Sequence, residues 1–138
     1  MGRILGIDWG EKRLGLALSD PLGITAQPLE VIERKSIADD FIRIGAIIAE
    51  MDVTEIVVGM AFNMNGSPGM LTDKIKAYGD RLNEEFGLPV HYVDERMTTM
   101  EAERMLVDEG DVSRGKRRSV RDKVAAAIIL RAYLDGKI

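Results

Sequence analysis

The order of the predicted elements limits what this chain can fold into more than any other feature. Three strand-like segments come before any helical pattern: residues 3–8, 13–20 and 26–33. In the second segment Leu14, Leu16 and Leu18 stand at every other position, which is typical of a strand with one buried face. The first two segments predict a hairpin, and Pro28 predicts that the third is an edge strand, because proline has no N–H for a sheet ladder.

Helical and strand patterns alternate after the third strand. Ser36 can cap a first helix with an apolar stripe at spacings of three and four: Ile37, Phe41, Ile44, Ile48 and Met51. Asp39 and Asp40 in its first turn suit the positive end of the helix dipole. A nearly all-apolar strand at 55–60, with a glycine-bearing loop at 61–69, follows this helix.

Two more helices and a fifth strand complete the pattern. A second helix ends at Gly87, and residues 90–94 form the fifth strand. A third helix is predicted from Thr98 or Thr99 to about residue 109, and the last over 120–135. The whole pattern predicts an α/β fold, in which a mixed sheet is flanked by helices on right-handed crossovers.

The length and composition of the chain exclude several classes of protein. Its 138 residues suit a single domain over 1–138, and the absence of cysteine excludes disulfides and thiolate sites. No apolar run is long enough to span a bilayer and no signal peptide is visible, so we expect a cytoplasmic protein without a membrane partner. A formal net charge of -4 argues against coating nucleic acid through bulk positive charge.

Three acidic residues stand where stability alone does not explain them. Asp8 and Glu95 follow apolar strands at their carboxyl ends, the edge where open α/β sheets bind ligands. Asp122 continues the apolar stripe of the last helix. Each has an ordinary alternative: Asp8 as a turn former, Glu95 as a partner for Arg96 or Lys12, and Asp122 as a first-turn acid on the helix dipole.

If these three carboxylates converge, they require a cation, because without one they would repel and raise each other's pKa. Oxygen ligands without cysteine, in a chain with a single histidine, favour Mg²⁺ or Mn²⁺ over zinc. Two such ions about 3.5–4 Å apart are the usual device for in-line attack on a phosphodiester. The single histidine, His91, lies in the fifth strand, where an imidazole more often packs than catalyses.

A local run of cations could bind phosphate. Six of them fall within ten residues, with Asp122 as the one acid among them: Arg114, Lys116, Arg117, Arg118, Arg121 and Lys123. A solvated basic loop is the ordinary alternative for such a run. In the loop at 61–69, Asn63 and Gly66 could contact a phosphate through backbone N–H groups, which alone is a weak signal.

Four segments in order resemble one known family: residues 6–17 (GIDWGEKRLGLA), 59–66 (GMAFNMNG), 94–99 (DERMTT), and Asp122 with Ala125 and Ala126. They resemble the YqgF family, also called RuvX. The resemblance implies a ribonuclease H-like fold with strand order 3-2-1-4-5 and an antiparallel strand 2. It implies a metal-dependent endonuclease that processes the 5′ end of precursor 16S rRNA, or resolves four-way (Holliday) junctions in branched DNA. The loop after the fourth strand departs from the family at Met60-Ala61, where the family usually has Leu-Pro, and at Asn65, where it has aspartate.

The resemblance also implies roles for individual residues. The family's catalytic and metal-binding acids fall on Asp8, Glu95 and Asp122. The expected substrate contacts are Arg13, Asn63, Gly66, Arg96, Lys116, Arg117 and Arg118. In the implied strand order Asp8 and Glu95 lie roughly 10 Å apart, at about 4.8 Å per strand, so no direct contact between them is expected. A monomer and a homodimer both remain open.

Two other function classes fit parts of the sequence. A nucleic-acid-binding module would use the basic segment and leave the acids structural. An ATPase fragment is suggested by the glycine-bearing hairpin at Asp8, but a chain of 138 residues lacks the second lobe needed to enclose a nucleotide.

Overall fold

A computed structural model describes residues 2–61, 69–95 and 114–136, with all of their side chains except those of 114–120. Its elements, in chain order, are β1 (Arg3–Trp9), β2 (Arg13–Ser19), β3 (Ala26–Glu33), α1 (Ile37–Met51), β4 (Val53–Met60), α2 (Thr72–Phe86), β5 (Val90–Asp94) and α3 (Arg114–Gly136). No helix in these ranges is both long enough and apolar enough to cross a membrane.

The five strands form one sheet in the order β3-β2-β1-β4-β5. Strand β2 is antiparallel to both β1 and β3, whereas β4 is parallel to β1 and to β5. This confirms the mixed sheet, its strand order and the antiparallel second strand. Strand β3 lies at the edge, as Pro28 predicts, and its pairing with β2 is irregular at that proline.

The two faces of the sheet differ in the size of their side chains. On one face, large residues of β1, β2 and β4, such as Leu5, Leu16 and Ile56, pack with residues of α1 and α2. On the other face the strands present smaller residues, including Ala17 and Val57, and helix α3 packs there. Because successive strand residues point to opposite faces, Asp8 shares the α3 face with Gly6, whereas Ile7 faces the other helices.

Helix α1 begins as the sequence predicts, but one of its acids has another environment. The Ser36 side chain accepts a hydrogen bond of 3.1 Å from the Asp39 N–H. Asp40, expected only to suit the helix dipole, is fully buried together with Ile44 and Ile47. The spacing of four between Asp40 and Ile44 already places Asp40 on the buried stripe.

The prediction for the last helix is wrong at its start. Helix α3 begins at Arg114 rather than at residue 120, so the basic run is helical and not a loop. Arginine and lysine are good helix formers, but a run of them has no apolar period to reveal the helix. The predicted helix from Thr98 or Thr99 to about residue 109 lies outside the described residues, as do residues 62–68 of the loop after β4.

Candidate active site

Three acidic side chains and one arginine come together on the α3 face of the sheet, at the edge formed by the carboxyl ends of its parallel strands. Asp8 lies near the end of β1 and Glu95 follows β5, so both stand at the carboxyl ends of parallel strands. Arg13 begins the antiparallel strand β2, which places it at the same edge. Asp122 reaches this edge from α3. The three acids therefore converge as predicted: two come from the ends of strands and the third comes from helix α3.

Asp8 and Glu95 are hydrogen-bonded to each other, so the prediction that they do not touch is wrong. The reason is Gly59, which lies on β4 between their two strands. Ile7 pairs with Val58 on one side of β4, and Gly59 pairs with Val93 on the other. A Cβ on Gly59 would lie 2.6 Å from Oε1 of Glu95. The Glu95 side chain therefore passes over β4, in the space that Gly59 leaves free.

The pKa of Asp8 is raised well above the usual range of an aspartate. Burial of the carboxyl is the largest cause, followed by the hydrogen bond with Glu95 and the negative charges of Glu95 and Asp122. The positive charge of Arg121 opposes this shift. The Asp8 carboxyl therefore favours its protonated form when no metal cation lies beside it.

Asp122 is neutralised by an arginine. Nε of Arg13 lies 2.8 Å from Oδ2 of Asp122, and the two side chains are 26% and 20% exposed. Glycine also permits this approach, because a Cβ on Gly15 would lie only 1.9 Å from the backbone oxygen of Asp122. Asp122 stands well inside α3, so the alternative that it is a first-turn acid on the dipole is wrong.

The residues present fit a hard divalent cation by their chemistry, since Asp8, Glu95 and Asp122 supply only carboxylate oxygens. Within residues 2–61, 69–95 and 114–136, however, no group of three acidic, histidine or cysteine side chains is already arranged to hold a metal ion. The contacts above explain this, because Asp8 and Glu95 bond to each other and Asp122 bonds to Arg13. A cation bound by all three carboxylates would have to replace both the Asp8–Glu95 hydrogen bond and the Asp122–Arg13 ion pair.

The other predicted site residues are placed less completely. Asn63, Gly66 and Arg96 lie outside the described residues. A second group lies on the first turns of α3 without described side chains: Lys116, Arg117 and Arg118. His91 stacks on Tyr133, with ring centroids 5.1 Å apart, and its Nε2 lies 3.3 Å from Glu55. These contacts agree with the packing interpretation of His91.

Sequence reasoning missed the two glycines that shape this site. Gly15 and Gly59 are internal to strands, where glycine is unfavourable unless another group approaches closely. Both are on the α3 face, one beside Asp122 and the other beside Glu95. The signal that could have found them is a glycine inside each of two mostly apolar strands.

The fold resembles that of junction-cleaving enzymes. Over 99% of this chain and 96% of the other, it matches the RuvC protein of T. thermophilus, solved with a Holliday junction substrate, at a TM-score of 0.63 and 16% identity. It matches the fowlpox virus resolvase over 99% of each chain, at a TM-score of 0.55 and 10% identity. The class is therefore that of ribonuclease H-like folds.

Sequence comparison identifies the family within this class. Residues 2–136 match the family model described as "RuvX: Holliday junction resolvase". A Streptococcus thermophilus protein is 51% identical over 135 residues, which cover 96% of this chain and 97% of that protein. A Streptococcus equi subsp. zooepidemicus protein is 50% identical with the same coverage, and both are provisionally named pre-16S rRNA nucleases. The chain belongs to the RuvX family and is a nuclease, a hydrolase of phosphodiester bonds.

Proposed function

We propose that this protein is a divalent-cation-dependent endonuclease whose catalytic and metal-binding residues are Asp8, Glu95 and Asp122. One observation carries the proposal: three acids far apart in sequence meet at one edge of the sheet, and two of them share a hydrogen bond. Such an arrangement is unfavourable for the fold alone, since carboxylates brought together without a cation repel each other. A site that must accept positive charge accounts for it.

The chemistry assigns distinct tasks to the residues at this edge. Asp8, Glu95 and Asp122 would hold Mg²⁺ or Mn²⁺, which supplies an activated water and stabilises the leaving oxygen. Before they can do so, Asp8 must lose its proton, and its hydrogen bond with Glu95 must be replaced. Asp122 must release Arg13, and the freed guanidinium would then lie beside the site, where it can bind a phosphate oxygen of the substrate.

The proposed substrate is the 5′ end of precursor 16S rRNA, on the strength of the names of relatives that are about half identical over nearly the whole chain. Action on this RNA agrees with the expected cytoplasmic location. The description of the family model favours a second candidate, resolution of a four-way DNA junction. That activity would call for a dimer, because such a junction has two-fold symmetry.

A cleavage assay distinguishes these functions. The substrates are a 5′ fragment of precursor 16S rRNA and a synthetic four-way DNA junction, each with Mg²⁺, with Mn²⁺ or with EDTA. The variants are Asp8→Asn, Glu95→Gln and Asp122→Asn, which keep the size of each side chain and remove its charge. Glu84→Gln is the matched control, because Glu84 is an exposed acid on α2, away from the site.

We expect the wild type and Glu84→Gln to cleave with either cation and to be inactive in EDTA. Each site variant should lose at least about a hundredfold in rate, in line with the loss of a group that stabilises developing charge. The substrate that is cleaved decides between the RNA and the junction. Equal cleavage by all variants would contradict the proposal, and binding of both substrates without cleavage would favour a binding module.

A further inference from the structure

A buried charged cluster lies next to the turn that joins β1 and β2. Its centre is Arg34, the residue that follows β3. Nε of Arg34 lies 2.9 Å from Oδ2 of Asp40, in an ion pair whose side chains are 12% and 0% exposed. No local sequence pattern indicates this pair, and it lies outside the trio of acids described above.

Two aromatic rings flank the guanidinium of Arg34. Its Cζ lies 5.4 Å from the ring centroid of Trp9 and 5.2 Å from that of Tyr78. The Tyr78 hydroxyl donates a 3.0 Å hydrogen bond to the same Oδ2 of Asp40. Burial and the nearby Asp40 charge raise the pKa of Tyr78 far above its usual value, so the phenol stays a donor. The guanidinium therefore has a fixed plane and a fixed position.

The same arginine bonds to both sides of the β1–β2 turn. Its Nη1 donates to the Gly10 carbonyl at 2.9 Å, and its backbone N–H donates to the Lys12 carbonyl at 2.9 Å. Gly10 comes two residues after Asp8, and Lys12 comes directly before Arg13. The turn is tight, because a Cβ on Gly10 would lie 2.7 Å from the Arg13 oxygen. Arg34 thus joins the turn to the buried Asp40.

Stability alone is a weak reason for such a pair. Taking two charges out of water costs about as much as their attraction returns, and an apolar pair of similar volume often serves the fold as well. The extra feature is the link from Asp40 through Arg34 to the turn. Since the turn lies between Asp8 and Arg13, any looseness in it would move both of these site residues.

We infer that Arg34, fixed by Asp40 and the rings of Trp9 and Tyr78, is a positioning residue that holds the β1–β2 turn and thereby sets Asp8 and Arg13. The inference rests on the proposed nuclease function for its consequence in catalysis. The fixing of the turn itself is a property of the free protein and can be measured without substrate.

Two variants test the inference. Arg34→Lys keeps the charge near Asp40, but an ammonium lacks the planar fork that reaches Asp40 and Gly10 together. The double variant Arg34→Met with Asp40→Leu removes both charges at once and leaves no unpaired buried charge. Arg43→Lys is the matched control, because Arg43 also binds a carboxylate, that of Glu30, but does so on the exposed surface.

The first measurement is hydrogen–deuterium exchange of residues 9–13, at a temperature well below unfolding for every variant. We expect both Arg34 variants to exchange faster here by about tenfold, corresponding to about 1.4 kcal/mol, and Arg43→Lys to match the wild type. The second measurement is the steady-state cleavage of the substrate found above. There kcat should fall by about ten- to a hundredfold, with a smaller change in KM, as for a small misplacement of catalytic groups.

Unchanged exchange at residues 9–13 in both Arg34 variants would overturn the inference. Faster exchange with an unchanged kcat would also overturn it, because the turn would then be held without effect on the reaction. If Arg34 had a purely structural role, the double variant would have a lower melting temperature and would lose the cleavage of every substrate to the same extent. If the wild type itself cleaves nothing, the proposed function fails, and the exchange rates alone decide whether Arg34 holds the turn.

Discussion

The Asp8 carboxyl lies in a place where its negative charge is unfavourable. Burial, the bonded Glu95 and the charge of Asp122 all raise its pKa. A carboxyl whose pKa is higher in the folded than in the unfolded protein contributes stability only while it is protonated. That contribution is complete below the unfolded pKa, near 3.8, and is lost as the pH rises through the folded pKa.

Asp8→Asn should therefore stabilise the metal-free protein at neutral pH, because asparagine cannot ionise. We expect its melting temperature in EDTA to exceed that of the wild type at about pH 7, and the difference to shrink as the pH falls toward about 4. Thermal unfolding followed by circular dichroism measures both. Glu84→Gln should show no such pH-dependent difference. If the wild type were more stable than Asp8→Asn at neutral pH, the view that the Asp8 charge is unfavourable for folding would be wrong.

Gly59 decides whether Glu95 can reach Asp8. A methyl group there would lie 2.6 Å from Oε1 of Glu95 and 2.5 Å from Cδ1 of Ile129, closer than side chains approach each other. Gly59→Ala should displace Glu95, abolish most of the cleavage, and cost about 1–3 kcal/mol of unfolding free energy through overpacking. Cleavage rates and urea denaturation test this. Gly136→Ala is the control, because its Cβ would meet nothing within 4 Å; full activity in Gly59→Ala would contradict the role of this glycine.

At the scale of elements, helix α3 combines two functions along its length. Its middle and final turns pack on the sheet through Ala126, Ile129 and Leu130, which are almost completely buried. Its first turns carry the cationic run at the positive end of the helix dipole, which is an unfavourable place for cations. Asp122 lies between these two parts. The helix thus joins the basic segment to the candidate active site.

Replacing Lys116, Arg117 and Arg118 together by alanine should weaken substrate binding without removing the chemistry. Alanine favours a helix at least as much as the residues replaced, so α3 should remain formed. We expect a higher KM and a flatter dependence of affinity on salt, with the slope falling by about 1 for each phosphate that the protein no longer neutralises. Titrations at several salt concentrations measure the slope. A large fall in kcat with unchanged KM would contradict this role.

Most of the elements followed from the sequence, but the start of α3 and the partner of Asp40 did not. All five strands and the caps at Ser36 and Gly87 could be predicted, because periodicity and capping are local properties. The start of α3 could not, since its basic turns have no apolar period. The spacing of four between Asp40 and Ile44 could have indicated that Asp40 is buried, but the ion pair of Asp40 with Arg34 could not be predicted, because no local pattern joins these two residues.

In the whole molecule, the sheet separates a core of large side chains from the face that carries the site. Helices α1 and α2 cover the first face, where the Arg34 cluster lies among residues such as Trp9 and Tyr78. Helix α3 covers the second, where glycine and alanine allow a close approach. The candidate site thus lies where α3 approaches the sheet closely. A ligand that binds there should stabilise the entire domain.

Mg²⁺ or Mn²⁺ should therefore raise the melting temperature of the wild type as its occupancy of the site increases. A ligand at a hundred times its Kd stabilises the folded state by about 2.7 kcal/mol. Asp8→Asn and Asp122→Asn should show much smaller shifts, whereas Glu84→Gln should respond as the wild type does. Differential scanning calorimetry over a range of cation concentrations tests this. Equal shifts in all four proteins would indicate binding elsewhere on the surface.

The sequence by itself determined the order of the elements and singled out the three acids, because strand ends and the apolar stripes of helices are visible in local patterns of residues. Only the tertiary structure decided how those acids meet. The contact of Glu95 with Asp8 depends on a missing side chain at Gly59, on a strand between theirs. The pairing of Arg13 with Asp122 depends on how closely α3 approaches β2. These distances are set by packing between segments far apart in the chain, which no local pattern records.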